Sequence, residues 1–208
     1  MPVYLTQPLI DSLLEQTDSF LNKAISEWQM LPHEQFSYKA SSEKWSANQC
    51  IAHLNSYGRY YLPEIAKAIN HAKTEQQQAS IRFKAGWLGN YFTKMMLTTP
   101  DGKPVKKMSS PKDHSPDNSA ASHLVIAEFI EQQEQLLKLL RIAKSIDLGK
   151  SRIPISIAKF IKLKLGDTFL FLIAHNYRHI LQADKALQNA GVRQKKINPF
   201  LISEMQVS

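Results

Sequence analysis

Two histidines, His175 and His179, stand four residues apart in a stretch that is predicted to be a helix, residues 168–190. Residues four apart lie on one face of a helix, one turn above the other, so both side chains can bind a single ion. Asp167 is predicted to cap this helix by accepting from its first free amides, and Gly191 is predicted to end it. Two ligands do not hold a catalytic metal, so the site needs a third from elsewhere in the chain.

His53 is the candidate for that third ligand. It follows a helix start marked by Ser46 and Gln49, which form the S-x-x-Q capping box. His53 is predicted to face the interior because it shares a helical stripe with mainly apolar residues. The other members of the stripe are Gln49, Cys50, Leu54 and Tyr57. Three neutral imidazoles suit zinc, nickel, copper or iron and leave coordination positions open, which describes a catalytic site better than a structural one.

A plainer interpretation exists for each motif alone. A lone histidine on an apolar face, such as His53, is commonly a hydrogen-bonded core residue. The H-x-x-x-H motif lacks the glutamate of the H-E-x-x-H zinc proteases, since Asn176 stands in its place. Asn176 and Arg178 flank the two histidines away from their common face, so helix-packing or surface roles are expected for them. Only the combination of the two motifs indicates a metal site.

Three residues are candidates for supporting the metal ligands. Gln49 lies one turn before His53 and can donate to a metal-bound water, although its capping role is the better-supported interpretation. Tyr57 lies one turn after His53 and can form a hydrogen bond to a ligand or simply pack in the core. Gln182 lies close to the turn after His179 and can orient that ring.

The other histidines and the cysteine carry no predicted function. His123, at the start of the third long helix, can approach the site but is expected near solvent. His33, His71 and His114 fall in polar segments, and no role is assigned to them. Cys50 is expected to be a small buried thiol near a helix start.

The elements that must position the histidines are predicted to be helices. Apolar spacing predicts long helices over residues 6–31, from Ser46 to about residue 69, from Ser119 or Ser122 to about residue 140, and over residues 168–190. Thr6 is the predicted cap of the first. Short helices are expected within residues 81–97, after an irregular approach, and over residues 158–165, and no strand is predicted. The chain is therefore expected to be all-α, a four-helix bundle with short extra helices in its crossovers. The long Pro-, Ser- and Lys-rich loop over residues 98–118 can be a lid, an interaction arm or a mobile segment.

Composition sets limits on location and partners. The 208 residues suffice for one buried core, so a single domain over residues 1–208 is expected. The net charge of +8 comes largely from lysines in loops, without the interleaved aromatics that stack bases, so no nucleic-acid partner is expected. One cysteine, no signal peptide at the N-terminus and no apolar stretch of about 18 residues indicate a soluble, cytoplasmic protein with no membrane partner.

The two motifs together resemble those of the DinB-like (YfiT-like) superfamily. The sequence reads Trp45-Ser46-x-x-Gln49-x-x-x-His53-Leu54 and, much later, His175-x-x-x-His179-Ile180-x-Gln182. The resemblance runs over most of the chain in helix order. It implies a four-helix bundle, frequently homodimeric, in which His53, His175 and His179 bind zinc or nickel. Trp45, Gln49 and Gln182 match positions typical of the pattern that are not ligands.

The resemblance also implies a range of activities. The superfamily contains transferases that use bacillithiol, mycothiol or glutathione, a thiol-dependent isomerase, and proteins named for metal-dependent hydrolysis. This chain differs from the shorter members by an insertion at roughly residues 82–118, which can cover or reshape the metal pocket.

Two functional hypotheses follow. The first is a metal-dependent enzyme that acts on a small molecule by activating water, as a hydrolase, or a low-molecular-weight thiol, as an S-transferase. The alternative is a non-catalytic metal-binding or stress-response helical scaffold. A cavity leading to the three histidines would favour the enzyme, whereas a fourth protein ligand or a sealed core would favour the scaffold.

Overall fold

The computed structural model describes residues 1–99, 103, 105–106, 110–116, 120–200 and 202–207. Over these residues the chain is mostly helical, with two small antiparallel sheets. The helices are α1 (Thr6–Lys23), α2 (His33–Phe36), α3 (Ala47–Thr74), α4 (Trp87–Met96), α5 (Ser122–Ala143) and α6 (Leu165–Asn189). The strands are β1 (Val3–Leu5), β2 (Arg82–Lys84), β3 (Arg152–Ile155), β4 (Ala158–Lys164) and β5 (Gln206–Val207). None of the described helices has the length and apolar character needed to cross a membrane.

The long helices α1, α3, α5 and α6 enclose the core. α3 contacts both α5 and α6, and α1 contacts the same two helices. A π-helical turn, Ala24–Trp28, continues α1 and buries the Trp28 ring 5.9 Å from the ring of Phe129 in α5. The contact between α3 and α6 places the helix that carries His53 against the helix that carries the histidine pair.

The mostly helical fold agrees with the predicted class, but the chain also forms short strands, which were not predicted. Residues 158–165 were predicted to be a short helix, but residues 158–164 instead form β4, which pairs with β3 in a hairpin. Ile153 pairs with Leu163 and both are buried, so the hairpin gains cross-strand packing and ladder hydrogen bonds. An isolated helix of that length would be marginal. The approach to α4, predicted to be irregular, contains the short strand β2, which pairs with β1.

The predicted start of α3 is confirmed. The Ser46 hydroxyl accepts from the backbone N–H of Gln49 at 3.1 Å, and the Gln49 side-chain oxygen accepts from the backbone N–H of Ser46 at 3.2 Å. This reciprocal pair satisfies two amides that the helix leaves free. Because the box fixes where α3 begins, it also fixes the turn on which His53 lies.

The predicted caps of three other helices are not observed. α1 begins at Thr6 itself, with Leu5 in the capping position. α5 begins at Ser122, whose backbone N–H donates to Nδ1 of His33 at 3.3 Å, so a histidine from α2 takes the place of a local cap. The alternative cap Ser119 lies outside the described residues. For α6, the capping position is Lys164 and not Asp167.

Asp167 instead joins α6 to α4. It lies in the first turn of α6, and its two carboxylate oxygens accept from the backbone N–H of Gly86, the residue before α4, at 3.0 and 3.1 Å. A Cβ at Gly89 would lie 2.2 Å from the Asp167 side chain, so the absence of a side chain at Gly89 lets the helices approach. This contact seats α4 beside the helix of the histidine pair.

A buried ionic cluster holds the C-terminal segment against α1 and α6. The Lys23 ammonium lies 3.1 Å from carboxylates of both Glu27 and Asp184, and it donates to the backbone oxygen of Lys195 at 2.8 Å. Glu27 also accepts from the backbone N–H of Lys195 at 2.9 Å. Lys23 is only 3% exposed, so these partners replace the water that a surface lysine would contact.

Asp184 is expected to make the protein less stable as the pH rises through the weakly acidic range. Burial raises the pKa of Asp184 to about 7 even though Lys23 lowers it, whereas the ordinary value is 3.8. Between those values the folded chain holds a proton that the unfolded chain has released, so the free energy of unfolding falls with rising pH. Urea unfolding between about pH 4.5 and 7.5 should show this slope, and Asp184→Asn should reduce it. An equal slope in the variant would contradict the assignment.

Candidate metal centre

The structure brings the three predicted histidines together. One ring nitrogen of each lies within 4.8 Å of those of the other two, and Nε2 of His53 is 3.2 Å from Nε2 of His175. His175 and His179 share a face of α6 because they are four residues apart, and His53 meets them from α3. All three are buried. Two motifs separated by more than a hundred residues thus form one group in space.

The tautomer of His53 is set by its neighbour in the segment before α5. Its Nδ1 lies 2.6 Å from the backbone oxygen of His114. A carbonyl oxygen only accepts, so Nδ1 carries the hydrogen and donates it. The remaining nitrogen, Nε2, therefore keeps its lone pair and directs it into the cluster, as a metal-binding histidine requires.

His179 is oriented in the same way. Its Nδ1 lies 3.0 Å from the side-chain oxygen of Gln182, which accepts the Nδ1 hydrogen. The contact leaves the lone pair of His179 on Nε2. Gln182 thus contacts His179, and its predicted role of orienting a metal ligand stays a prediction.

His175 completes the group without an outer partner. Its Nδ1 is buried and has no hydrogen-bond partner among the described residues. Its Nε2 faces the lone pair on Nε2 of His53 at 3.2 Å. Two nitrogen lone pairs at that distance repel each other unless a proton or a cation lies between them. The donor set therefore fits a small cation.

Burial keeps the cluster uncharged. Burial lowers the pKa of His53 to about 4 and moves the pKa values of His175 and His179 well below the ordinary value. The positive charge of Arg178 lowers all three further. Neutral imidazole is the form that binds metal, so no proton has to leave these rings near neutral pH.

Aromatic rings surround the histidines. The Trp45 ring lies 5.1 Å from the His53 ring and is stacked on His179 at 5.9 Å. The Tyr57 ring lies 4.3 Å from the His175 ring and meets the His53 ring edge-on at 5.1 Å. These walls hold the imidazoles in place and reduce the local dielectric, which strengthens any electrostatic interaction inside the site.

A cavity of about 740 Å³ reaches the cluster. All three histidines line it, together with Trp45 and Tyr57. Its size falls in the range of pockets that enclose small molecules. Over the described part of the chain, the group of possible metal ligands consists of the three histidines. The site is thus neither sealed nor completed by a fourth side chain, as judged from those residues.

The other predicted supporting residues differ in where they point. Tyr57 contributes its ring to the cavity wall, and burial raises the pKa of its hydroxyl, so the hydroxyl stays protonated. Gln49 uses its side-chain oxygen in the capping box of α3. A direct contact of either residue with a metal-bound water stays a prediction.

His114 takes part in the site although sequence reasoning assigned it no role. Besides the contact of its backbone oxygen with His53, its ring stacks on Tyr57 at 3.9 Å and its Nδ1 lies 2.9 Å from the Ser56 hydroxyl. Ser110 also lines the cavity. Residues 110–114 of the 98–118 loop therefore form part of the surroundings of the site. No local pattern could have shown this, because the loop has no periodicity and the contacts arise from tertiary folding.

Arg178 also proves to be part of the cavity wall, where a packing or surface role was expected. Asn176 does have the expected packing role, since its side chain donates to Gln133 of α5 at 3.2 Å. The histidines His71 and His123 are exposed and lie outside the cluster. Cys50 is fully buried, and burial raises the pKa of its thiol, so it is not an activated nucleophile.

Comparison with known families decides the relationship that the two motifs suggested. The family model described as the DinB superfamily matches residues 14–183, a span that contains all three histidines. The chain belongs to the DinB superfamily. No curated protein matches this DinB-superfamily chain, and no solved structure matches it.

Proposed function

We propose that this DinB-superfamily protein is a metal-dependent enzyme whose cofactor is a divalent cation, zinc or nickel, held by His53, His175 and His179. The observation that carries the proposal is the inward direction of the lone pairs. The outer nitrogens of two histidines donate to oxygen acceptors, so their inner nitrogens are ready to bind an ion. Such outer contacts are typical of metal-binding histidines.

The cavity supports catalysis over a scaffold role. A structural zinc site is closed by four protein ligands, whereas a catalytic site has three and an opening to substrate. The group here consists, among the described residues, of three histidines facing a cavity of about 740 Å³. A small-molecule substrate fits that space.

The donor set is compatible with two reaction classes. A cation held here would act as a Lewis acid that activates water, for hydrolysis, or a low-molecular-weight thiol, for S-transfer to an electrophile. The residues of the chain hold the imidazoles: His53 and His179 donate to His114 and Gln182, and the Trp45 ring stacks on His179. Preorganised groups of this kind need no rearrangement when substrate binds.

The arrangement of the long helices supports a four-helix bundle. α1 and α3 each contact α5 and α6, which is the contact pattern of four helices around one core. We further propose one domain over residues 1–208 with an insertion at roughly residues 82–118, of which α4 and the segment around His114 are parts. Homodimerisation, which the family resemblance implies, stays a prediction.

Activity is expected to depend on the cation and on the histidine cluster together. Protein treated with a chelator should lose thiol-transfer or hydrolytic activity in a screen of small electrophiles and esters, and zinc or nickel should restore it. Activity that survives complete metal removal would contradict the proposal. The matched control is His179→Ala, in which neither zinc nor nickel should restore activity. Restored activity in this variant would come from metal bound elsewhere.

A further inference from the structure

Basic residues dominate the wall of the cavity that reaches the histidines. Arg178, Lys44 and Lys185 line it, whereas Glu43 is the acidic residue among its described lining residues. Lys44, Lys185 and Glu43 are exposed at the rim. Arg178 directly precedes His179 in α6 and is only partly exposed. The space in front of the cluster is therefore electropositive even without a cation.

Arg178 has no acidic partner in the described part of the chain. Its guanidinium donates to two neutral acceptors, the backbone oxygens of Met95 at 3.0 Å and Lys106 at 2.9 Å. A guanidinium has five N–H groups, so three remain for other acceptors. The side chain of Arg178 is only partly exposed, so its charge has lost part of its hydration, at a cost in free energy. A bound anion would offset that cost.

An apolar chamber of about 70 Å³ lies beside the cavity. Tyr57, Met96 and Pro111 line both spaces, so the chamber and the cavity meet at the same side chains. Phe92 and Phe171 form further parts of the chamber wall. A molecule placed at the histidines can therefore extend an apolar group in this direction.

We propose that the cavity binds a small amphiphilic anion, with a carboxylate or phosphate group on Arg178 and an apolar group in the apolar chamber. The proposal rests on the proposed function, because the anion would be the substrate that the histidine cluster acts on. Arg178 provides the planar, charge-assisted hydrogen bonds that these two anions accept best. Lys44 and Lys185 at the rim add long-range attraction.

A purely structural role for Arg178 makes a different prediction. The contact with Met95 caps the C-terminal end of α4, so an altered Arg178 could change the cavity wall. A changed wall would alter the binding of charged and uncharged ligands alike. An anion-binding Arg178 affects the charged ligand alone.

The test compares three probes on the 208-residue chain: 3-phenylpropionate, its uncharged amide 3-phenylpropionamide, and propionate, which lacks the ring. Affinities are measured by calorimetry or NMR titration, both on protein as purified and after removal of metal with a chelator. We expect the acid to bind about 10-fold more tightly than the amide, and propionate to bind more weakly than either. This preference, the ratio of the affinities for acid and amide, should persist without metal. The ratio should fall to about 1 in Arg178→Gln.

The controls separate the sources of binding. Arg141→Gln removes an exposed arginine outside the cavity wall and should leave the preference unchanged. Lys185→Gln should reduce it about 2-fold, which provides a second variant if Arg178→Gln does not fold. The proposal would be overturned if acid and amide bind equally or if neither binds. It would also be overturned if the preference survives in folded Arg178→Gln. A preference that disappears with the metal would also overturn it, while leaving the metal-dependent function intact.

Discussion

His175→Ala is expected to weaken zinc binding by at least about 100-fold while the chain stays folded, because even contacts behind a ligand cost about 10- to 100-fold when lost. Nε2 of His175 lies 3.2 Å from Nε2 of His53, and one ring nitrogen of each of the three histidines lies within 4.8 Å of the other two. Its loss leaves two histidines, which is too few for a stable catalytic site. Competition with a chromophoric chelator measures the affinity, and circular dichroism checks the fold.

The matched control is His71→Ala. His71 lies in the last turn of α3 with an exposed side chain, and it is not a member of the cluster. This variant should bind zinc as the natural chain does. Unchanged zinc affinity in folded His175→Ala would exclude the proposed ligand set.

Lys23→Met is expected to destabilise the fold by about 3 kcal/mol, because removing one partner of a buried ion pair leaves the other uncompensated. The variant loses the ion pairs with Glu27 and Asp184 and the hydrogen bond to the backbone of Lys195. The loss should be smaller at about pH 5, where Asp184 is protonated and its pair with Lys23 contributes less. Urea unfolding of the variant and the natural chain, at about pH 5 and at about pH 7.5, gives the loss in the free energy of unfolding at each pH.

An exposed ion pair supplies the control for Lys23. Lys67 pairs with Glu64 on α3 with its side chain 73% exposed, so Lys67→Met should change the free energy of unfolding by less than about 1 kcal/mol. If both methionine variants cost the same small amount, the cluster around Lys23 does not hold the C-terminal segment in the way described.

The metal-ligand candidates could be predicted from the sequence because their signals are local. The capping box of Ser46 and Gln49 sets the start of α3, and helical spacing alone then directs His53 inward. The spacing of His175 and His179 places both on one face of α6. The meeting of the two motifs depends on the packing of α3 against α6, which the resemblance to a known family supplied.

The strands and the joint between α4 and α6 could not be predicted in this way. Val3 in β1 pairs with Lys84 in β2, far along the chain, and neither strand is long enough to show an alternating pattern. Asp167 was expected to cap its own helix, but its carboxylate reaches Gly86 of another segment. Long-range pairing decides both features, and single-residue preferences do not contain it.

The residues around the three histidines likewise fall into those with a local signal in the sequence and those whose position depends on tertiary folding. Gln182 could be proposed from its position alone, since it follows His179 by three positions on one helix and contacts it there. His114 belongs to a loop and contacts His53 through its backbone oxygen, which any residue type possesses. Arg178 was expected to have a helix-packing or surface role because it lies off the face shared by His175 and His179, and its contact with the backbone of Lys106 depends on tertiary folding.

The metal content of the untagged protein as purified, measured by elemental analysis, tests the central claim most directly. A site of three histidines predicts about one zinc or nickel ion per chain, and close to none in His53→Ala purified in parallel. No bound metal after incubation with zinc and with nickel would contradict the claim, and so would equal metal in the His53→Ala variant.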